Sequence, residues 1–334
     1  MVLSREVRKE KLTALRSDVE KVVGREKLYY KAQTERHPIF RIDLDHLIYN
    51  RHNGRLESEM LTWQNEHSVG GDIYDDELHG LIDKFLWDTN PSRNRDTLKD
   101  IDLKGQQRPG IVTLDGVIID GNRRAMLLRR LEGKNNEKQY FESIILPDAY
   151  DENEAEIVRL ETQYQLGEDA KLDYGPLEKY LHAKRLKIHL DILVSEIATL
   201  MGRSEGNIVK LLGIMELMDD YLEKIGCTGL YKMLKEDDGS TKEGMFVDLY
   251  QDVMRFEGGS PQVQWDYDDV DLIDLKTIQF DHIRFGSELS DTNKTYRAIS
   301  HGGSGKKSFF AHEGIWSEFS KCPSGKKLIR WNRL

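Results

Sequence analysis

Cysteine is almost absent from this chain: two residues, Cys227 and Cys322, among 334. They stand far apart with no partner at metal-ligand spacing, which excludes a disulfide framework and a thiolate zinc site. The 10 histidines form no H-x-x-x-H pair or comparable cluster, so no protein-held transition metal is expected. No apolar run approaches the roughly 20 residues that span a bilayer. The N-terminal stretch MVLSREVRKEKLTALRSDVEK lacks the apolar block of a secretory signal. The expectation is a cytoplasmic protein without membrane contact. Positive charge is not in excess either: 49 Lys and Arg stand against 59 Asp and Glu, a net charge of −10. Any contact with nucleic acid must therefore come from a local face.

What is present is enough chain for two or three domains and one informative stretch, Gly110 to Leu131. Ile111 to Leu114 and Val117 to Ile119 are short β-rich runs separated by Asp115-Gly116, a dipeptide that favours a tight hairpin. Asp120-Gly121-Asn122-Arg123-Arg124 follows and runs into an Ala-, Leu- and Arg-rich helical segment. A glycine at a strand-to-helix junction lets backbone approach a ligand closely, and the helix aims unpaired N–H groups at the same spot. Two arginines in the first turn add forks suited to phosphate oxygens. The pattern is that of an anion cradle; the plainer reading is a glycine turn followed by a helix with solvated arginines.

This segment resembles the signature of the ParB/sulfiredoxin superfamily, where a hairpin leads into a Gly-x-Arg-Arg or Gly-x-His-Arg turn that binds nucleotide phosphates. Here the turn is Gly121-Asn122-Arg123-Arg124, preceded by Ile118-Ile119-Asp120, and the upstream GQQRPGIVT resembles the family's approach to the hairpin. The resemblance implies a nucleoside triphosphate held by Gly121, Asn122, Arg123 and Arg124. It also makes Arg51 and Arg55, in the loop Tyr49 to Arg55, candidates for the same ligand. The family's second phosphate motif has its nearest match at Glu161-Thr162-Gln163-Tyr164-Gln165, where only the glutamate is kept. By resemblance Glu161 holds Mg²⁺ at the triphosphate, and Glu161 and Asp120 are the candidate catalytic carboxylates. Sulfiredoxin chemistry needs a cysteine where Asn122 stands, which removes that branch.

Further on, VSEIATLMGRSEGNIVKLL (Val194 to Leu212) places Ile197, Ala198, Met201, Gly202, Ile208 and Leu211 at the offsets of a helix-turn-helix. Ser204 suits the N-cap of its second helix. Arg203, Ser204, Asn207 and Lys210 are candidates for contact with double-stranded DNA, whereas Glu205 would repel phosphates. A helix-turn-helix used only as protein scaffold is the alternative.

The expected fold is α+β. It comprises an N-terminal amphipathic helix (1–37), a ParB/sulfiredoxin-like nucleotide-binding domain (38–168), an all-helical helix-turn-helix domain (169–226) and a divergent C-terminal α/β domain (227–334). Leu12, Leu15, Val19 and Val22 carry the helical stripe over residues 4 to about 32. Asn90 to Arg95 reads as a loop, the acidic run Asp266 to Asp274 as a solvated loop or strand end, and Lys306 to Arg333 as a small β-rich unit. SHGGSGKK (Ser300 to Lys307) lacks the order and frame of a P-loop. The implied function is a Mg²⁺-dependent NTPase whose nucleotide state gates DNA binding or self-association, as a homodimer or with a partner protein. A kinase or nuclease on the same scaffold, and a non-enzymatic DNA- or protein-binding adaptor with a degenerate pocket, remain open.

Overall fold

The computed structural model describes residues 2–54, 56–67, 76–166, 177–235, 241–259, 263, 265–285, 297–301 and 308–321. The chain divides into two units, Met1–Leu211 and Leu212–Leu334.

The first unit is built on a six-stranded mixed sheet: β1 (Val22–Tyr30), β2 (Gln33–Asp43), β3 (Ile48–Tyr49), β4 (Gly110–Val112), β5 (Val117–Asp120) and β6 (Tyr140–Ile145), in the order β1-β2-β6-β4-β5-β3. β1, β2 and β6 pair antiparallel, as do β4 and β5, while β4 runs parallel to β6 and β3 to β5. Strand alternation sends side chains to two cores. Ile118, Phe40 and Ile42 join one face with Leu12 of helix α1 (Arg5–Ser17), Met60 of α2 (Glu57–His67), Ile82 of α3 (Asp76–Asp88) and Met126 of α5 (Asn122–Asn135). Val117, Ile119, Ile39 and Leu28 join the other with Ile157 and Leu160 of α6 (Glu154–Leu166). The molecule is thus α+β.

Two expectations for the first unit change. The helix stops at Ser17, and the next residues form a turn and then β1. Asp18 is extended and caps the turn by accepting from the Glu20 N–H at 3.1 Å, while Val19, the next apolar residue of the stripe, is 77% exposed. Beyond it, β-branched Val22-Val23 and the buried–exposed alternation of Leu28, Tyr29 and Tyr30 obey a period of two. Asn90 to Arg95, expected as a loop, instead opens α4 (Pro91–Lys104): Asn90 accepts from the Arg93 N–H at 3.0 Å, and proline occupies the first turn, where a missing N–H costs nothing.

After α6 come α7 (Glu178–Lys184), a π-helical turn (Arg185–His189), α8 (Val194–Leu200) and α9 (Glu205–Lys224). α8 and α9 are joined by residues 201–204, in which Gly202 takes φ +61° and the Ser204 hydroxyl accepts from the Asn207 N–H at 3.3 Å. Ile197, Ala198, Met201, Ile208 and Leu211 are buried between these helices and their surroundings.

In the second unit the regular elements among the described residues after α9 are helical: a 3-10 turn (Tyr231–Leu234), α10 (Glu243–Glu257), α11 (Asp269–Phe285) and a last helix, Glu313–Ser320, with one isolated bridge, Lys235↔Thr241. Of the stretch expected to be β-rich, Lys306 to Arg333, the described residues 308–321 hold a helix and no strand. Trp316 and Phe319 lie one helical turn apart, which sets the first ring against Phe310 and the second against Phe309, in one core with Phe256. Residues 302–307 and 322–334 of the glycine-rich and basic tail lie outside the described residues. The acidic run opens α11: Asp268 Oδ1 accepts from the N–H groups of Val270 and Asp271, at 2.9 and 3.1 Å.

Candidate functional site

The site begins where β5 turns into α5. Gly121 is the N-cap in the left-handed region (φ +103°, ψ 17°) and provides no side-chain cap. The Phe141 ring fills the space beside it: a Cβ on Gly121 would lie 2.6 Å from that ring, and one on Gly110 2.2 Å. Both glycines therefore admit the ring, and φ at 121 turns the chain into the helix. Gly121 thus supplies no side-chain cap to the first turn of α5, whose N–H groups carry the positive end of the helix dipole.

Arg123 and Arg124 are half-buried and engaged within the fold. Arg123 Nε donates to Asn94 Oδ1 at 2.5 Å and its Nη2 to Thr97 Oγ1 at 3.3 Å, fastening α5 to α4. Arg124 donates to the carbonyls of Arg108 and Pro109 and is ion-paired with Asp120 at 2.5 Å. The two forks are held in place rather than swinging in solvent, and Asp120 is tied to one of them.

Three separate segments meet around Asn50. Its backbone N–H donates to Asn122 Oδ1 at 3.0 Å, and its side-chain amide donates to Glu161 Oε2 at 3.1 Å. Its own Oδ1 accepts from the His52 N–H at 2.9 Å, shaping the loop after β3. Asn122 in turn donates to the Ile118 carbonyl at 3.0 Å. Asn50, Asn122 and Glu161 are all buried, and Glu161 is fully so. Asn122 and Glu161, 39 positions apart by their own numbers, are thereby brought to one point. Arg51 lies in the same loop, its Nε 3.1 Å from the His52 ring; Arg55 lies outside the described residues.

Behind this point is a buried polar cluster that no sequence pattern announced. Arg185, first residue of the π-turn, donates to the His52 carbonyl at 3.2 Å, the Tyr150 hydroxyl at 2.8 Å and Glu154 at 3.1 Å. Burial alone would lower its pKa, but Tyr150, Glu57 and Glu161 around it raise it. The Tyr150 hydroxyl is raised to about 12, mainly by burial. His52 is held well below its ordinary range by burial and by Arg185 and Arg51, so it is neutral. Glu57 is raised to about 7 by burial, opposed by Arg185 and reinforced by Glu161 and Glu178. π-turns gather at functional sites because they re-aim a side chain out of helical register, and this one delivers Arg185 to the loop. A cavity of about 690 Å³ opens beside the loop, lined among others by Asn50, Arg51, His52, Tyr150, Arg5 and Arg8, a size that suits a small organic ligand.

Among the described residues no group of three or more His, Cys, Asp or Glu is placed to hold a metal. A magnesium ion here would take one protein carboxylate, Glu161, and complete its shell from phosphate oxygens and water, which is a usual arrangement for that ion.

Arg203, Ser204, Glu205 and Asn207 are exposed around the start of α9 and Lys210 is partly so. None of them takes part in the hydrogen bonds around Asn50 described above.

No family model and no curated protein matches the chain. Among solved structures, similarity extends to the crystal structure of the C-terminally truncated chromosome-partitioning protein ParB from Caulobacter crescentus complexed with CTP-γ-S. The match covers 65% of this chain and 98% of that chain, at 14% identity and a TM-score of 0.23. No helix among the described residues is long and apolar enough to cross a membrane.

Proposed function

We propose that this chain is a ParB-like nucleotide-binding protein, in which a nucleoside triphosphate with Mg²⁺ sits at the Gly121–Arg124 turn and its presence gates DNA engagement or self-association. One observation carries the reading: Asn50 bonds both Asn122, at the start of α5, and Glu161, so that the phosphate-type turn and the acidic motif share one buried anchor. Phosphate oxygens would meet the N–H groups of the first turn of α5 and the guanidinium groups of Arg123 and Arg124. Glu161 would supply the carboxylate to Mg²⁺, and Arg51 would add a further cation from the loop. DNA would be met by Arg203 and Lys210 at phosphates and by Ser204 and Asn207 at phosphates or base edges.

Hydrolysis by this site would draw on Glu161 and Asp120. A second reading, a binding module that does not hydrolyse its ligand, is favoured by the state of both carboxylates: Asp120 is paired with Arg124 and Glu161 accepts from Asn50. Thermal unfolding with each of the four NTPs, with and without Mg²⁺ and duplex DNA, tests the proposal. A ligand at a hundred times its Kd stabilises by about 2.7 kcal/mol, and a shift with one triphosphate in Mg²⁺ is expected. No shift with any of them overturns it. Mg²⁺-dependent phosphate release, lost in Glu161→Gln, separates the NTPase from the binding module.

A further inference from the structure

β1 and β2 form a two-stranded ribbon whose two faces differ in charge. Directly opposed residues share a face, and the register sets Glu26 against His37 and Leu28 against Glu35 on one side. That side carries Leu28 and Tyr30 into the core with Ile157 and Leu160 of α6. The other side pairs Arg25 with Pro38, Lys27 with Arg36, and Tyr29 with Thr34. Arg25, Lys27, Tyr29, Thr34 and Arg36 are all exposed, Tyr29 at 48%. In a chain of net charge −10, the ribbon has sorted its acids to one face and three cations to the other.

Three further observations point outward. Among the described residues, Arg25, Lys27 and Arg36 make no ion pair or hydrogen bond through their side chains. Lys27 and Arg36 oppose each other directly, and like charges in that position destabilise a ribbon, so the fold itself gains nothing from them. β6 covers β2 only from Ile39 to Asp43, leaving residues 33–38 of β2 paired with β1 alone. Residues two apart on a strand repeat every ~6.8 Å and opposed residues lie ~5 Å apart. The three charges therefore make a compact cationic patch bearing a phenol and a hydroxyl that can also reach phosphate. A two-stranded ribbon has the width that a duplex groove admits.

We propose that the exposed face of the β1–β2 ribbon, Arg25, Lys27 and Arg36 with Tyr29 and Thr34, is a docking surface for the phosphate backbone of a nucleic-acid duplex. It is separate from the α9 surface and does not depend on nucleotide binding. Its occupant is recognised by regularly spaced negative charge, without reading base sequence.

The test uses the full chain and a fluorescent random-sequence DNA duplex, with anisotropy measured across a salt series. The variant replaces Arg25, Lys27 and Arg36 together by threonine, a strand-forming residue. Each phosphate contact contributes a slope of about −0.9 in log K against log salt, so the variant should lose up to about 2.7 units of slope and roughly eightfold in affinity per contact at 0.1 M salt. Because opposed like charges are removed, its melting temperature should equal or exceed that of the wild type; a lower one would mean the cations serve the fold, and would overturn the proposal. Arg25→Lys with Arg36→Lys should retain binding. Arg203→Ala, measured alongside, keeps a failure of the α9 surface distinct from a failure of the ribbon. Wild-type affinity and slope in the triple variant overturn the proposal, as does absence of duplex binding at low salt. Ribbon-dependent binding to anionic phospholipid vesicles but not to the duplex would assign the face to a membrane and overturn it equally.

Discussion

Replacing Glu57 with glutamine probes the buried cluster behind the Asn50 site. Glu57 is 8% exposed, its Oε2 has no hydrogen-bond partner, and its pKa is raised from 4.5 to about 7. Burial is the main cause; Arg185 opposes it and Glu161 and Glu178 reinforce it. Between those two values the unfolded chain has released a proton that the native state still holds. The unfolded state then binds fewer protons, so stability falls as pH rises through this window and levels off above about 7. At about 1.4 kcal/mol per pH unit the cost above pH 7 comes to about 3 kcal/mol. Glutamine keeps the shape and carries no charge. Urea unfolding followed by circular dichroism should show Glu57→Gln about 3 kcal/mol more stable than the wild type at pH 8 and closely matched near pH 4.5. Equal stability at pH 8, or a less stable variant, would show that Glu57 is ionised and paired there, and the cluster would have to be redrawn.

Other substitutions test the frame. Gly121→Ala should cost about 2–4 kcal/mol by thermal or chemical unfolding, combining a left-handed backbone with crowding against Phe141; a neutral outcome would mean the ring moves freely aside. Lys31 and Ala32 occupy the β1–β2 turn at φ +52° and +58°, a conformation suited to Asn-Gly. Ala32→Gly, which leaves the Lys31–Asp148 ion pair intact, should therefore raise stability by about 1 kcal/mol, and a loss in the same unfolding assay would show that the turn is set by its surroundings. Arg123→Ala removes the bonds to Asn94 and Thr97 and should destabilise the ligand-free protein by about 1–3 kcal/mol; wild-type stability would mean that α4 and α5 do not rely on it.

The order strand, turn, strand, glycine, helix over residues 110–131 was legible because each step has a local signal: Asp-Gly for the turn, β-rich apolar runs for the strands, and glycine at the junction. The paired helices around Gly202 were legible for the same reason. The N-terminal strand was not, because the apolar stripe of α1 happens to continue through Val19 and Val22 at helical spacing, and only the packing shows that Val19 leaves the core. Asn90-Pro91 carried a readable helix start that its polar neighbours obscured. At the site, the glycine turn and Glu161 could be named from sequence, but their meeting through Asn50 could not, since it depends on the parallel pairing of β3 with β5. Arg185 had no sequence signal at all; a π-turn is visible only once the backbone hydrogen bonds are known.

Calorimetric titration of the wild type and Arg124→Ala with each NTP in Mg²⁺ tests whether the Gly121–Arg124 turn holds a nucleoside triphosphate. The prediction is saturable binding of at least one triphosphate by the wild type, weakened at least tenfold in the variant, the scale of about 1.5 kcal/mol for a charge-assisted phosphate contact. No heat of binding with any triphosphate, or equal affinity in the two proteins, would mean that the turn holds no triphosphate.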